Sequence, residues 1–108
     1  MVILLDTNIP LIYLLDEEDL YKESIDKIFE MLYKNKFDGC IAFHSLPEMW
    51  YVLRKFTSED ERREMLEALC RKIRVVSAPH EDVVDAINQK NFKDFEDCLQ
   101  DKCAAACI

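Results

Sequence analysis

Four acids, Asp6, Glu48, Asp94 and Asp97, stand where an alternating α/β chain turns the carboxyl edge of its sheet toward solvent. Carboxylates brought to one rim repel each other unless a hard cation is shared among them, so the pattern points to a divalent-metal site. Each acid also has a local role open to it. Asp6 fits an ordinary turn, and Glu48 fits the last position of a Ser45-Leu46-Pro47-Glu48 capping box. Asp94 fits an N-cap, with Asp97 in the first helical turn where the backbone dipole favours negative charge. What favours the shared site is coincidence, because three separate strand-to-helix modules each end on an acid. Glu96 is expected to project elsewhere, into solvent. His44, four residues before Glu48, reads as an isolated, hydrogen-bonded structural histidine and is left out of the site.

The elements that must position these acids follow from periodicity. Val2-Ile3-Leu4-Leu5 is an apolar run suited to a strand buried on both faces, and it stops at Asp6-Thr7-Asn8. Asn8 is expected to N-cap a short helix that tolerates Pro10 in its first turn. A longer helix is predicted from Glu18 to Lys34, with Ile25, Ile28, Phe29 and Leu32 on one stripe. Phe37-Asp38-Gly39 reads as a turn before a second strand, Cys40 to Phe43. Ser45 and Ser58 each open a helix with a Ser-x-x-Glu signature. The second of these runs to about Lys72, with Met65, Leu66, Leu69 and Cys70 inward. Ile73 to Ala78 is the third predicted strand, Pro79 breaks it, and a helix over 81–89 places Val83, Val84 and Ile87 on one side. A last helix opens at Asp94. This order predicts an α/β, three-layer sandwich, a central parallel sheet joined by right-handed crossovers and flanked by helices.

Composition bounds the partners. A chain of 108 residues, 50% hydrophobic, has the size and core of a single domain, 1–108. No stretch approaches the roughly 20 apolar residues of a membrane span, so a soluble, cytoplasmic protein is expected. Five cysteines with no close Cys-x-x-Cys pair are expected to be reduced, buried thiols. The thiol-rich face of Cys98, Cys103 and Cys107 is expected to self-associate or oxidise if left bare. A net charge of −8 is opposite to that of most nucleic-acid binders. Nucleic acid would then be held by local patches, Arg54-Lys55, Arg62-Arg63 and Arg71-Lys72 with Arg74, which a solvated helix face explains equally well.

The chain resembles the PIN-domain family in Ile3-Leu4-Leu5-Asp6-Thr7-Asn8, in Ser45-Leu46-Pro47-Glu48-Met49-Trp50-Tyr51-Val52-Leu53, and in Asp94-Phe95-Glu96-Asp97-Cys98-Leu99-Gln100. The resemblance covers nearly the whole chain, in order and spacing. It implies a Mg²⁺- or Mn²⁺-dependent ribonuclease, similar to VapBC-type toxins or to RNA-processing nucleases. Asp6, Glu48 and Asp97 would take the catalytic, metal-binding positions, with Asp94 as an accessory metal-binding acid and Asn8 just behind them. The family also implies RNA as substrate, an antitoxin protein as possible partner, and a homodimer. At its end the sequence departs from the pattern: such domains continue into another strand with a Thr-Arg-Asp-like turn. A C-terminally shortened variant is therefore expected, with the first strand's flank uncovered. The alternative is a catalytically impaired PIN-like module that acts through protein–protein or RNA binding. An aspartyl-nucleophile phosphotransferase fits less well, since Asp6-Thr7-Asn8 lacks the second aspartate of that motif.

Overall fold

A computed structural model of the protein describes residues 1–16, 20–89 and 94–107. Its strands are β1 (Val2–Leu5), β2 (Asp38–Ala42) and β3 (Arg74–Val76). Its helices are α1 (Asn8–Leu15), α2 (Lys22–Tyr33), α3 (Ser45–Leu53), α4 (Glu59–Lys72), α5 (His80–Ile87) and α6 (Phe95–Ala106). Among the described residues the strands form one parallel sheet of order β1-β2-β3, with Ile3 opposite Gly39 and Ile41 opposite Val75. The three-layer α/β prediction is correct. Part of the predicted start of the second helix, 17–19, lies outside the described residues.

The central strand sorts the two faces by the period of two along its backbone. Ile41 points into the larger core with Leu5 of β1, with Leu11, Ile25, Phe29, Leu32, Met49, Leu53 and Leu69 of α1 to α4, and with Ile73 between α4 and β3. Cys40 and Ala42 point the other way, into a smaller cluster with Val76, Cys103 and Cys107 under α6. The predicted stripe of α2 is realised in buried Ile25, Phe29 and Leu32, and Phe29 stacks on Tyr13 of α1 with ring centroids 3.8 Å apart. No helix among the described residues is long and apolar enough to cross a membrane.

Several local expectations are corrected. Gly39 lies inside β2 rather than in a turn, and the reason for glycine is space: a Cβ there would come within 3.1 Å of Leu32 Cδ1. The left-handed residue between α2 and β2 is Asn35, at φ 59°, a conformation asparagine tolerates better than most side chains. Cys70 is exposed, because Leu69 faces the core and its neighbour is turned about 100° away by the helical repeat. Ala86 is the buried residue of α5, while Val84 and Ile87 are exposed. The cysteines are not all reduced: Cys40 and Cys107 are joined as a disulfide, brought together by the docking of the end of α6 on the central strand.

Candidate metal centre

Three strand-to-helix or loop-to-helix turns meet at the carboxyl end of the sheet, and buried hydroxyls hold them there. β1 ends at buried Leu5, and Thr7 follows as the residue capping α1. Its side chain makes no cap bond, so the expected role of Asn8 as N-cap is also corrected, Asn8 being the first helical residue. Instead Thr7 Oγ1 lies 2.7 Å from Ser45 Oγ, across 38 residues of chain. Ser45 is completely buried at the start of α3. From α6, the Gln100 amide donates to Ser45 Oγ at 3.3 Å and lies 3.3 Å from His44 Nε2. With the His44 proton on Nδ1, the two hydrogens of one amide serve both acceptors. This knot of Thr7, Ser45 and Gln100 joins the ends of β1 and β2 to the first turns of α6. His44 thus takes the structural role expected of it.

The acids stand around that knot. Asp6 and Asp97 line one groove of about 590 Å³, which runs between Val2, Ile3 and Leu4 of the outer strand and Gln100, Asp101 and Ala104 of α6. Glu48 is exposed in the first turn of α3. The capping box that competed for it does not form: His44 is the N-cap of α3, Ser45 is its first helical residue, and Ser45 Oγ meets Thr7 Oγ1 and accepts from the Gln100 amide instead. Asp94 does cap α6, accepting the Glu96 backbone N–H at 2.8 Å. Glu96 is exposed, as expected. The charge of Glu48 foremost, then desolvation and the charge of Asp94, push its carboxyl above the usual range; His44 opposes them and Asp6 adds to them. Glu96 is therefore exposed yet near enough to the acidic rim to feel its charge.

Chemically, the rim offers only carboxylate oxygens, the donors a hard divalent ion selects. Among the described residues no three acids, histidines or cysteines already stand close enough to hold an ion, so binding one requires the exposed side chains to swing inward. The donor set fits such a cation, which would offset the negative charge that Glu48, Asp94 and Asp6 place near Glu96. Asn8 borders a different groove, with Ile9, Ile12 and Ile28. Thr7, Ser45, Gln100 and Glu96 were missed by sequence reasoning. The signal for the first two was a pair of small hydroxyls at two strand ends, which reads equally as turn chemistry.

The basic patches are largely engaged. Arg62 is buried over the Trp50 ring at 4.4 Å, Arg63 pairs with Glu59 at 2.8 Å, and Arg71 pairs with Glu67 at 2.6 Å. Lys72 donates to Asn35 Oδ1 at 2.6 Å, and Arg74 to the Cys107 carbonyl at 2.8 Å. No curated protein and no solved structure gives a significant match to the chain. The family model described as the PIN domain matches residues 2–107.

Proposed function

Because this chain belongs to the PIN-domain family, we propose that it is a Mg²⁺- or Mn²⁺-dependent ribonuclease whose ion is held by Asp6, Glu48 and Asp97. PIN domains are nuclease-type domains that generally use divalent metals and bind RNA. One observation carries the assignment of residues. Asp6 and Asp97 face the same groove, and the carboxyl of Glu96 beside them feels Glu48, Asp94 and Asp6 together. When bound, the divalent ion supplies a water of lowered pKa and offsets the charge of the phosphate.

The protein's own residues do the rest. Asp6, Glu48 and Asp97 hold the ion, with Asp94 as an accessory acid that also fixes the first turn of α6. Thr7, Ser45 and Gln100 keep the three turns in register, so that carboxylates far apart in sequence stay within reach of one another. Without a cation the rim repels a phosphodiester, which makes RNA binding metal-dependent as well as cleavage. A toxin of the VapBC type, in the cytoplasm, paired with an antitoxin protein or with a second copy of itself, is the setting we propose. The exposed Val2 and Ile3 of the outer strand support a protein partner there. Asn8 is proposed to act behind the ligands, through the backbone of the turn it shares with Asp6.

The test is cleavage of single-stranded and structured RNA in Mn²⁺. Asp6→Asn and Asp97→Asn are each expected to lower the rate at least about 100-fold, the upper end of what losing a mere support of a metal ligand costs. Cleavage that survives chelation, or that Asp6→Asn leaves intact, contradicts the reading. The second reading, a PIN-like module that acts only through binding, is favoured by the unassembled state of the acids. It predicts no cleavage of any RNA by the wild type.

A further inference from the structure

α6 is fastened to the sheet at its C-terminal end. Asp94 caps its first turn, which carries Glu96 and Asp97. Cys107, the residue that follows its last turn, is fastened twice. The Cys107 carbonyl accepts from Arg74 Nη2 of β3 at 2.8 Å, and the Cys107 sulfur is bonded to Cys40 in the middle of β2, which is fully buried. About 15 Å of helix separates Cys107 from Asp97, so the fastening at one end sets the angle of the other.

We propose that Cys40 and Cys107 form a redox-controlled latch that determines how firmly α6, and with it Gln100 and Asp97, is held on the sheet. The consequence for metal binding rests on the function proposed above; the latch itself does not. The Ile3 carbonyl oxygen lies 3.7 Å from the Cys40 sulfur, so a hydrogen-bond acceptor is at hand beside the bond. The neighbouring thiol of Cys103 lies in the same cluster and is free, so the pairing is selected by the place of Cys40 and Cys107 in the fold. Closure proceeds by exchange with a small-molecule disulfide such as oxidised glutathione. The Cys107 thiolate attacks one glutathione sulfur and releases the other as a thiolate. The Cys40 thiolate then attacks Cys107 Sγ, forms the protein disulfide and releases the second glutathione. Two protein thiols are oxidised, one glutathione disulfide is reduced to two thiols, and the protons pass to solvent or to the released thiolates.

The experiment uses the whole chain equilibrated in oxidised and in reduced glutathione, with disulfide mapping by peptide mass and amide hydrogen exchange. The expected result is a linked Cys40–Cys107 peptide in the oxidised form. Reduction is expected to speed exchange in residues 95–106 by about tenfold or more while α2 changes far less. Cys107→Ser should show the fast α6 exchange in both buffers. Absence of the linked peptide under oxidising conditions overturns the latch. So does an equal α6 exchange in the two forms, or a uniform acceleration of every helix, which would make the bond a general staple. Mn²⁺ melting shifts separate the two ideas. A shift that is larger in the oxidised form supports the latch acting on the metal site. If neither form shifts while α6 exchange still responds, the latch stands and the metal assignment falls.

Discussion

The starts of α3 and α4 carry the same four-residue signature, Ser45-x-x-Glu48 and Ser58-x-x-Glu61, and use it in opposite ways. At α4 the signature closes on itself: Ser58 Oγ accepts from the Glu61 N–H at 3.2 Å, and Glu61 Oε1 accepts from the Ser58 N–H at 3.2 Å. At α3 the serine is the first helical residue rather than the cap, and it is buried with its hydroxyl engaged by Thr7 and Gln100, so no box closes with Glu48. A capping box is a local bargain that a tertiary contact can outbid where the serine goes inside. The glutamate released in this way is the one that reaches the acidic rim.

Four outcomes test this contrast. Ser45→Ala should be the costliest change, about 1–3 kcal/mol, because it strands the buried Thr7 hydroxyl and the Gln100 amide together. Ser58→Ala should cost about 1 kcal/mol, the usual loss of an exposed N-cap. Urea unfolding of both variants decides the order, and a larger loss at Ser58 breaks the comparison. Glu61→Gln should weaken its helix by a few tenths of a kcal/mol, about the size of an exposed charge near a helix start. Glu48→Gln should cost nothing, and should bring the Glu96 carboxyl down toward its ordinary range in an NMR titration.

The smallest effect is in the pH dependence, where Glu61 at the start of α4 and Glu96 at the start of α6 should titrate to opposite sides of the ordinary glutamate value of about 4.3. Glu61 is held down, first by the backbone N–H of Ser58 and then by its side chain. Its folded form binds a proton less readily than the unfolded chain. It therefore adds stability above the ordinary value, lost as pH falls through the lowered one. Glu96 is raised, so its folded form binds a proton more readily. Its favourable contribution is complete below the ordinary value and is lost as pH rises through the raised one. Carbon-detected titration of both carboxyls, in the absence of divalent ions, reads the two directions directly.

Much of the fold was legible because it rests on short-range pattern. The apolar run before Asp6, the stripe of Ile25, Phe29 and Leu32, and the Ser58 cap each need only residues within a few positions of one another. The positions of Asp6, Glu48, Asp94 and Asp97 at helix and strand ends were legible for the same reason. The contacts that were not legible are long-range. Thr7 and Ser45 are 38 residues apart, Ser45 and Gln100 are 55 apart, and Cys40 and Cys107 are 67 apart. Gly39 shows the same limit from another side. Its reason is the Leu32 side chain pressing on the strand, a packing fact with no local signature, and so it read as a turn. The raised carboxyl of Glu96 was not legible because the neighbour that governs it, Glu48, belongs to a different helix.

The central claim is that carboxylates from three turns share one cation, and a crystal grown with Mn²⁺ and measured at its absorption edge tests it most directly. The account predicts an anomalous peak within about 2.5 Å of oxygens from at least two of Asp6, Glu48 and Asp97, with their side chains drawn inward. Bound Mn²⁺ at other residues only, or no peak while these carboxylates stay apart, contradicts it.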